Sequence, residues 1–317
     1  MLGVLRVLRR QMQEALADEP VAGAKQLVPA ADDAQVTTWL HAVDADEPRP
    51  VVFTLHGGGF STGDARKTDA LAEWISQSYD VHVVDVDYRL APENPWPVAL
   101  GDTVAVLDWY AAQADAHKMD RQAFYLMGYS AGANLSVTAA LKAEEAPHDF
   151  ALAGLILHYP FLDAATPADQ KGYRDVDFPS DLAEAYNIWY LGDNDPANPL
   201  ISPVFASDDQ LRGLPPVHSY PVVGDGCFHD AQVFHNRLAK LGLASTMTPV
   251  DGCYHGYIEN SANTRVYYKT SFEKTREERP ANYIEVAEKT MRLSLSSFLG
   301  EPIRMVAYSG YTTMPEK

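Results

Sequence analysis

Ser130 stands in the run Gly128-Tyr129-Ser130-Ala131-Gly132, between the apolar stretch Phe124 to Met127 and a helical pattern, Ala131 to Ala143. A serine at a sharp strand-to-helix turn has its hydroxyl lifted clear of the sheet, where it can attack a carbonyl. The turn strains the serine's backbone, and glycines on either side remove side chains that would clash. The helix that follows points its partly positive N-terminus at negative charge developing there. Such a hydroxyl needs a base, and the base needs an orienting carboxylate.

Ten histidines could supply the base. His82 and His158 fall in strand-like runs. His41, His117 and His148 read as exposed edges, and His235 as a surface or packing residue on a helix. His255 differs, because Gly252 and Gly256 flank it just after the last strand-like run and leave a loop free to aim the imidazole. Asp225 follows the run Val217 to Val223 and is held between Gly224 and Gly226. Asp230 is the rival acid; it falls where a helix is expected to begin, and a cap is its simpler role. A second glycine run, His56-Gly57-Gly58-Gly59-Phe60, follows Val51 to Leu55. Uncovered amides there can approach an oxyanion. Gly57, Gly59 and Thr62 miss the dinucleotide spacing, and no Gly-Lys-Ser or Gly-Lys-Thr occurs, so a phosphate loop is not the reading.

These residues need a scaffold. Strand candidates are Val36–Val43, Val51–Leu55, Val81–Val86, Phe124–Met127, Leu152–Leu157, Val217–Val223 and Ser245–Val250. Helical patterns lie between them at Lys67–Gln77, Val98–Ala112, Ala131–Ala143 and Asp230–Leu241. Continuous apolar strands alternating with helices predict an α/β fold whose parallel sheet is covered on both faces. Residues 162–216 break the rhythm with many Asp and Pro and one helical island, Leu182–Leu191; insertions of that length form lids or binding loops. At the N-terminus Leu2, Leu5, Leu8, Met12 and Leu16 share one face of an amphipathic helix that should pack on the protein's own body. The run Lys269 to Arg279 mixes charges, as a solvated face does. A last helix is expected from Pro280, with Ile284, Ala287, Met291, Leu295 and Phe298 buried and Gly300 as its stop.

In combination and in this order, the motifs resemble the hormone-sensitive-lipase-like esterase branch of the α/β-hydrolase family. The set is His-Gly-Gly-Gly-Phe at 56–60, Asp87-Tyr88-Arg89-Leu90-Ala91-Pro92-Glu93 continuing to Asp102, Gly-Tyr-Ser-Ala-Gly at 128–132, Leu214-Pro215-Pro216 and His255-Gly256-Tyr257. The resemblance implies an α/β-hydrolase fold: a mostly parallel central sheet, helices on both faces and a helical cap. It implies one domain over 1–317, with the cap built from about 1–30 and 162–210. Ser130 is then the nucleophile, Asp225 the acid and His255 the base. The amides of Gly58, Gly59 and Ala131 form the oxyanion hole. His56, Phe60 and Tyr129 are assigned to the substrate pocket. The sequence departs from the family where Tyr129 replaces an Asp or Thr before the nucleophile. It departs again after Asp225, where Gly226-Cys227-Phe228-His229-Asp230 replaces Pro, a large apolar residue and charges.

The expected chemistry is hydrolysis of short- to medium-chain carboxylic esters through an acyl-enzyme, with no cofactor and no metal. Deacetylation of sugar esters on the same scaffold is the alternative. A non-catalytic ligand receptor is a further one; relatives that became receptors lost the histidine, and His255 is present. No His-Glu-x-x-His occurs, and His229 and His235, six apart, face away from each other on a helix. The chain's 25 Lys and Arg stand against 43 Asp and Glu, a net charge of −18 that repels nucleic acid. No stretch is long enough for stable membrane insertion. The implied partners are a small-molecule ester and, at most, a second copy of the chain in a homodimer. Two cysteines fit a cytoplasmic location. Cys227 and Cys253 each lie two residues from Asp225 or His255, within about 7 Å along an extended chain. Both are expected as reduced thiols behind the acid–base pair.

Overall fold

Val51, Val52, Phe53, Thr54 and Leu55 are buried on both faces of one sheet, which is why the run is continuously apolar rather than alternating. The computed structural model describes residues 2–171, 180–262 and 283–304. The mixed-charge run Lys269–Arg279 and the helix start expected at Pro280 lie outside the described residues.

The strands are β1 (Ala24–Pro29), β2 (Gln35–His41), β3 (Arg49–Leu55), β4 (His82–Asp87), β5 (Met119–Tyr129), β6 (Leu152–His158), β7 (Val217–Tyr220) and β8 (Ser245–Met247). They form one sheet in the order β1-β2-β4-β3-β5-β6-β7-β8. From β4 through β8 every pairing is parallel, while β1–β2 and β2–β4 are antiparallel. The main helices are α1 (Leu2–Leu16), α2 (Asp69–Tyr79), α3 (Val98–Ala112), α4 (Ala131–Ala143), α5 (Ser180–Leu191), α6 (Cys227–Lys240), α7 (Tyr257–Ala262) and α8 (Tyr283–Leu299).

Strand side chains alternate between faces, and the two cores follow that period. Val51, Phe53 and Leu55 pack with Leu107 of α3, Leu135 of α4 and Phe234 of α6. Val52 packs on the other face with Trp74 and Ile75 of α2 and with Met291 and Leu295 of α8. Both faces are therefore covered, as expected. α1 buries Leu5, Leu8, Met12 and Leu16. Its Arg9 guanidinium donates to the carbonyls of Ser61 and Ala91 and pairs with Glu93 at 2.8 Å.

Several expectations are corrected. β1 was not anticipated; only Val28 of its six residues is buried, so it carries no alternation. Because Ala24–Pro29 pairs with β2 in the sheet, the first thirty residues are not all cap. β7 stops at Tyr220, since Pro221 has no N–H for the ladder, and only a bridge from Val222 to Val250 continues it. α6 begins at Cys227, so Asp230 lies inside its first turn and does not cap it. His41 is not an exposed edge residue. It is 2% exposed, and its ring meets Glu73 at 2.9 Å, Asp69 at 3.4 Å and Asp85 at 3.6 Å.

Candidate active site

Parallel strands end at one edge of a sheet, and loops leaving that edge converge there. Ser130 leaves β5, the glycine run leaves β3, Asp225 follows β7, and His255 follows β8. Ser130 adopts φ 53 and ψ −113, a conformation L residues rarely occupy. The turn is tight on both sides. A Cβ on Gly128 would run into the backbone of Gly132 and Ala133, and one on Gly132 into the carbonyls of Leu55 and His56. That is the physical content of the Gly-x-Ser-x-Gly pattern here. The Ser130 amide donates to the His158 carbonyl at 3.0 Å and fixes the turn against β6.

The Ser130 hydroxyl lies 2.8 Å from His255 Nε2, and His255 Nδ1 lies 2.6 Å from Asp225 Oδ2. Ser130 is 8% exposed, so its oxygen is nearly closed off but reachable. Burial lowers the affinity of the His255 imidazole for a proton, and the neighbouring Asp225 carboxylate and Cys227 thiol raise it by more. The pKa therefore stands above the ordinary histidine value.

Gly58 and Gly59 have φ of 115° and 57°, and the loop closes on itself through Thr62 N–H donating to the Gly58 carbonyl at 2.8 Å. A Cβ at Gly58 would meet Thr62, and one at Gly59 would meet the Tyr186 ring. Ala131 opens α4 directly after Ser130.

A narrow cavity beside the serine is lined by Gly59, Phe60, Ser130, Ala131, Phe161, Ala183, Tyr186, Asn187 and Cys227. Phe60 is among them, stacked on Tyr190 at 3.6 Å between ring centroids. His56 and Tyr129 are not. His56 is buried, stacks on Tyr88 at 4.1 Å and bonds the Gly57 carbonyl through Nδ1. Tyr129 is 1% exposed and stacks on His158 in the core that holds α2 and α8. Successive strand residues point to opposite faces, so Tyr129 lies behind the turn that presents Ser130.

Sequence reading missed Ala183, Tyr186 and Asn187 as cavity residues. They share one face of α5, at the i, i+3, i+4 spacing of the helical island, and that periodicity was the available signal. It also missed Glu259, for which no local signal exists. This buried carboxylate accepts from the Gly57 amide at 2.9 Å, across 202 residues of sequence, and from the Tyr159 hydroxyl at 3.3 Å. Asp230 accepts from the Leu162 and Asp163 amides and pairs with Lys171 at 3.1 Å. Burial pushes its carboxyl up to about 7, with Lys171 pulling the other way. The carboxylate that meets the imidazole is that of Asp225.

Neither cysteine is in a disulfide among the described residues. Cys227 lines the cavity and its thiol is hydrogen-bonded to the His255 ring. Cys253 packs instead against the second core, and burial raises its pKa to about 12. Among the described residues no helix is long and apolar enough to cross a membrane.

A family defined by the α/β-hydrolase fold matches residues 52–259. An arylesterase of Saccharolobus solfataricus is 25% identical over 266 residues, covering 81% of this chain and 86% of its own. A carboxylesterase of Mycobacterium tuberculosis is 29% identical over 213 residues, 66% of each chain. A versiconal hemiacetal acetate esterase of Dothistroma septosporum is 30% identical over 218 residues, also 66% of each. Among solved structures, an esterase of Pyrobaculum calidifontis superposes with a TM-score of 0.75 at 23% identity, covering 93% of this chain and 94% of its own.

Proposed function

The chain belongs to the α/β-hydrolase family, in its hormone-sensitive-lipase-like esterase branch, and from that premise we propose that it hydrolyses carboxylic esters through Ser130, His255 and Asp225. The observation that carries the reading is the continuous pair of hydrogen bonds, 2.8 Å and 2.6 Å, from the serine through the imidazole to the carboxylate.

His255 Nε2 takes the proton as Ser130 Oγ attacks the ester carbonyl. Asp225 holds the proton on Nδ1 and so keeps the tautomer in which Nε2 can accept; it also stabilises the imidazolium that forms. Negative charge on the carbonyl oxygen is met by the amides of Gly58, Gly59 and Ala131, which cost no reorganisation when the charge appears. His255 returns the proton to the departing alcohol and leaves an acyl-serine. Water, deprotonated by the same imidazole, then releases the acid.

The acyl group goes to the cavity bounded by Phe60, Phe161 and Tyr186. Its narrowness supports short acyl chains, acetyl to butyryl. α5 belongs to the cap over the serine, with α1 braced against the oxyanion loop through Arg9 and Ser61. Low cysteine use, with no disulfide among the described residues, supports a cytoplasmic location.

Turnover of p-nitrophenyl acetate and butyrate tests the proposal. Ser130→Ala should cost on the order of 10⁶ in turnover. An organophosphonate should label Ser130, and His255→Ala should block labelling. Full activity in Ser130→Ala, or labelling of a different serine, removes the reading. A parallel panel of acetylated sugars separates a simple alkyl alcohol from a carbohydrate one.

A further inference from the structure

Asp225, Cys227 and His255 each offer one donor atom, and the three donors lie within 4.8 Å of one another. Two of these residues belong to the proposed triad. The third carries out no step of the proposed hydrolysis. Cys227 occupies a position where the family resemblance expects a large apolar side chain, so simple packing does not ask for sulfur there. Its thiol touches the catalytic imidazole and borders the same cavity as Ser130. A small ion entering the cavity therefore reaches it.

We propose that Asp225, Cys227 and His255 form a zinc-binding site that switches the triad off. Zinc takes sulfur at about 2.3 Å and imidazole nitrogen or carboxylate oxygen at about 2.0–2.2 Å, in a tetrahedron. Donors on such a tetrahedron lie about 3.4–3.7 Å apart, so the cluster needs to adjust by only about 1 Å. The residues sit where such adjustment is cheap. Asp225 follows Gly224, at φ 87°, and His255 lies between Gly252 and Gly256, at 71° and 81°. One thiolate, one imidazole and one carboxylate match zinc, whereas magnesium and calcium prefer oxygen alone. The fourth position takes a water.

Binding involves no oxidation. The Cys227 S–H bond breaks, its proton leaves to solvent, and a zinc–sulfur bond forms. The His255 proton moves from Nδ1 to Nε2, Nδ1 donates its freed lone pair, and Asp225 donates a carboxylate oxygen. The Asp225–His255 hydrogen bond is exchanged for bonds to the metal, so the imidazole can no longer take the serine's proton. The site itself follows from geometry; only its inhibitory effect rests on His255 being the base.

Cobalt(II), which takes zinc sites and reports thiolate ligation by charge-transfer absorption, is the direct probe. It is titrated into the Ser130→Ala protein, so that binding is read without any turnover. One equivalent should develop the sulfur-to-cobalt band and zinc should abolish it; saturating cobalt without that band overturns the site. In equilibrium dialysis Cys227→Ser should bind zinc at least about tenfold more weakly, and Cys253→Ser should bind as the native chain does. Equal affinity in Cys227→Ser overturns the site, whatever the fold of that variant does to activity. In the native chain, zinc should stop p-nitrophenyl acetate hydrolysis over the range in which it binds, and a chelator should restore it. Binding with undiminished turnover would overturn the switch. A normal cobalt spectrum on a chain that never hydrolyses esters would instead remove the esterase reading and leave the metal site standing.

Discussion

The Gly57 amide donates to the Glu259 carboxylate at 2.9 Å, and this bond ties the loop after β3 to the helix that follows His255. A Cβ on Gly57 would collide with the same carboxylate. The two loops that carry the proposed oxyanion donors and base are thus joined by one buried acid. Lys67 reinforces the link by donating to Asn260 at 2.9 Å.

Glu259 is accordingly a positioning residue. Glu259→Ala leaves the Gly57 amide unpaired in the interior, at a cost of about 1–3 kcal/mol, and frees the glycine loop to shift. Turnover should fall by about 10²-fold, the loss expected when oxyanion donors are displaced, while KM changes little. Glu259→Gln retains an acceptor for Gly57 and should recover most of that loss. Equal damage from both variants would mean that the negative charge, rather than the hydrogen bond, is what the site requires.

Tyr186 and Tyr129 make opposite predictions. Tyr186 walls the cavity, so Tyr186→Ala should raise kcat/KM for hexanoate relative to acetate by about tenfold or more, the worth of one or two methylenes accommodated. Tyr129 is packed on His158 behind the turn. Tyr129→Ala should leave the acyl-length profile where it is and cost about 3–5 kcal/mol of stability through the cavity it opens. A profile that moves with Tyr129 and ignores Tyr186 would reverse the assignment of the pocket wall.

These contrasts mark how far sequence carried the reading. Ser130, Asp225 and His255 were legible because glycines punctuate each of their turns, and a backbone requirement is local. α3 and α4 have the expected limits, Val98–Ala112 and Ala131–Ala143: α3 follows Pro97, and α4 follows Ser130, whose φ of 53° ends the strand. The rest depends on neighbours distant in sequence. Nothing around Glu259 announces that it will meet Gly57. Nothing in the last residue of β2 announces three carboxylates from positions 69, 73 and 85. Tyr129 went to the wrong side for a related reason: adjacency to a nucleophile along the chain says little when alternate strand residues face opposite cores.

For the acid, Asp225→Asn should cost about 10⁴ in turnover, because an amide favours the unproductive imidazole tautomer. Asp230→Ala should act on stability instead. It strips Lys171 of its buried partner, and breaking such a pair costs about 3–5 kcal/mol. Steady-state kinetics and denaturant melts on both variants check the split. A larger loss of turnover from Asp230→Ala than from Asp225→Asn would transfer the acid role.

His41 supplies a pH dependence remote from the catalytic serine. Burial lowers its proton affinity, but Asp85, Glu73 and Asp69 around the ring raise it by more, from 6.5 to about 9. The folded value lies above the unfolded one, so the charged ring stabilises the fold fully below about pH 6.5. That contribution is lost as the pH rises through about 9. A shift of this size corresponds to about 3 kcal/mol. The ring joins β2 to α2 through Asp69 and Glu73, and Asp69 in turn accepts from the amides of Ala22 and Gly23. Loss of the charge should therefore loosen the approach to β1 before the rest of the sheet. Urea melts at pH 6, 7.5 and 9.5 should find the native chain losing stability across this window. His41→Gln, which bonds without titrating, should begin less stable and lose much less. Hydrogen exchange at pH 9.5 should rise first at Ala22 to Val28. Parallel losses in both chains would show that the imidazole carries no charge in the fold, and the three carboxylates would then need another source of compensation.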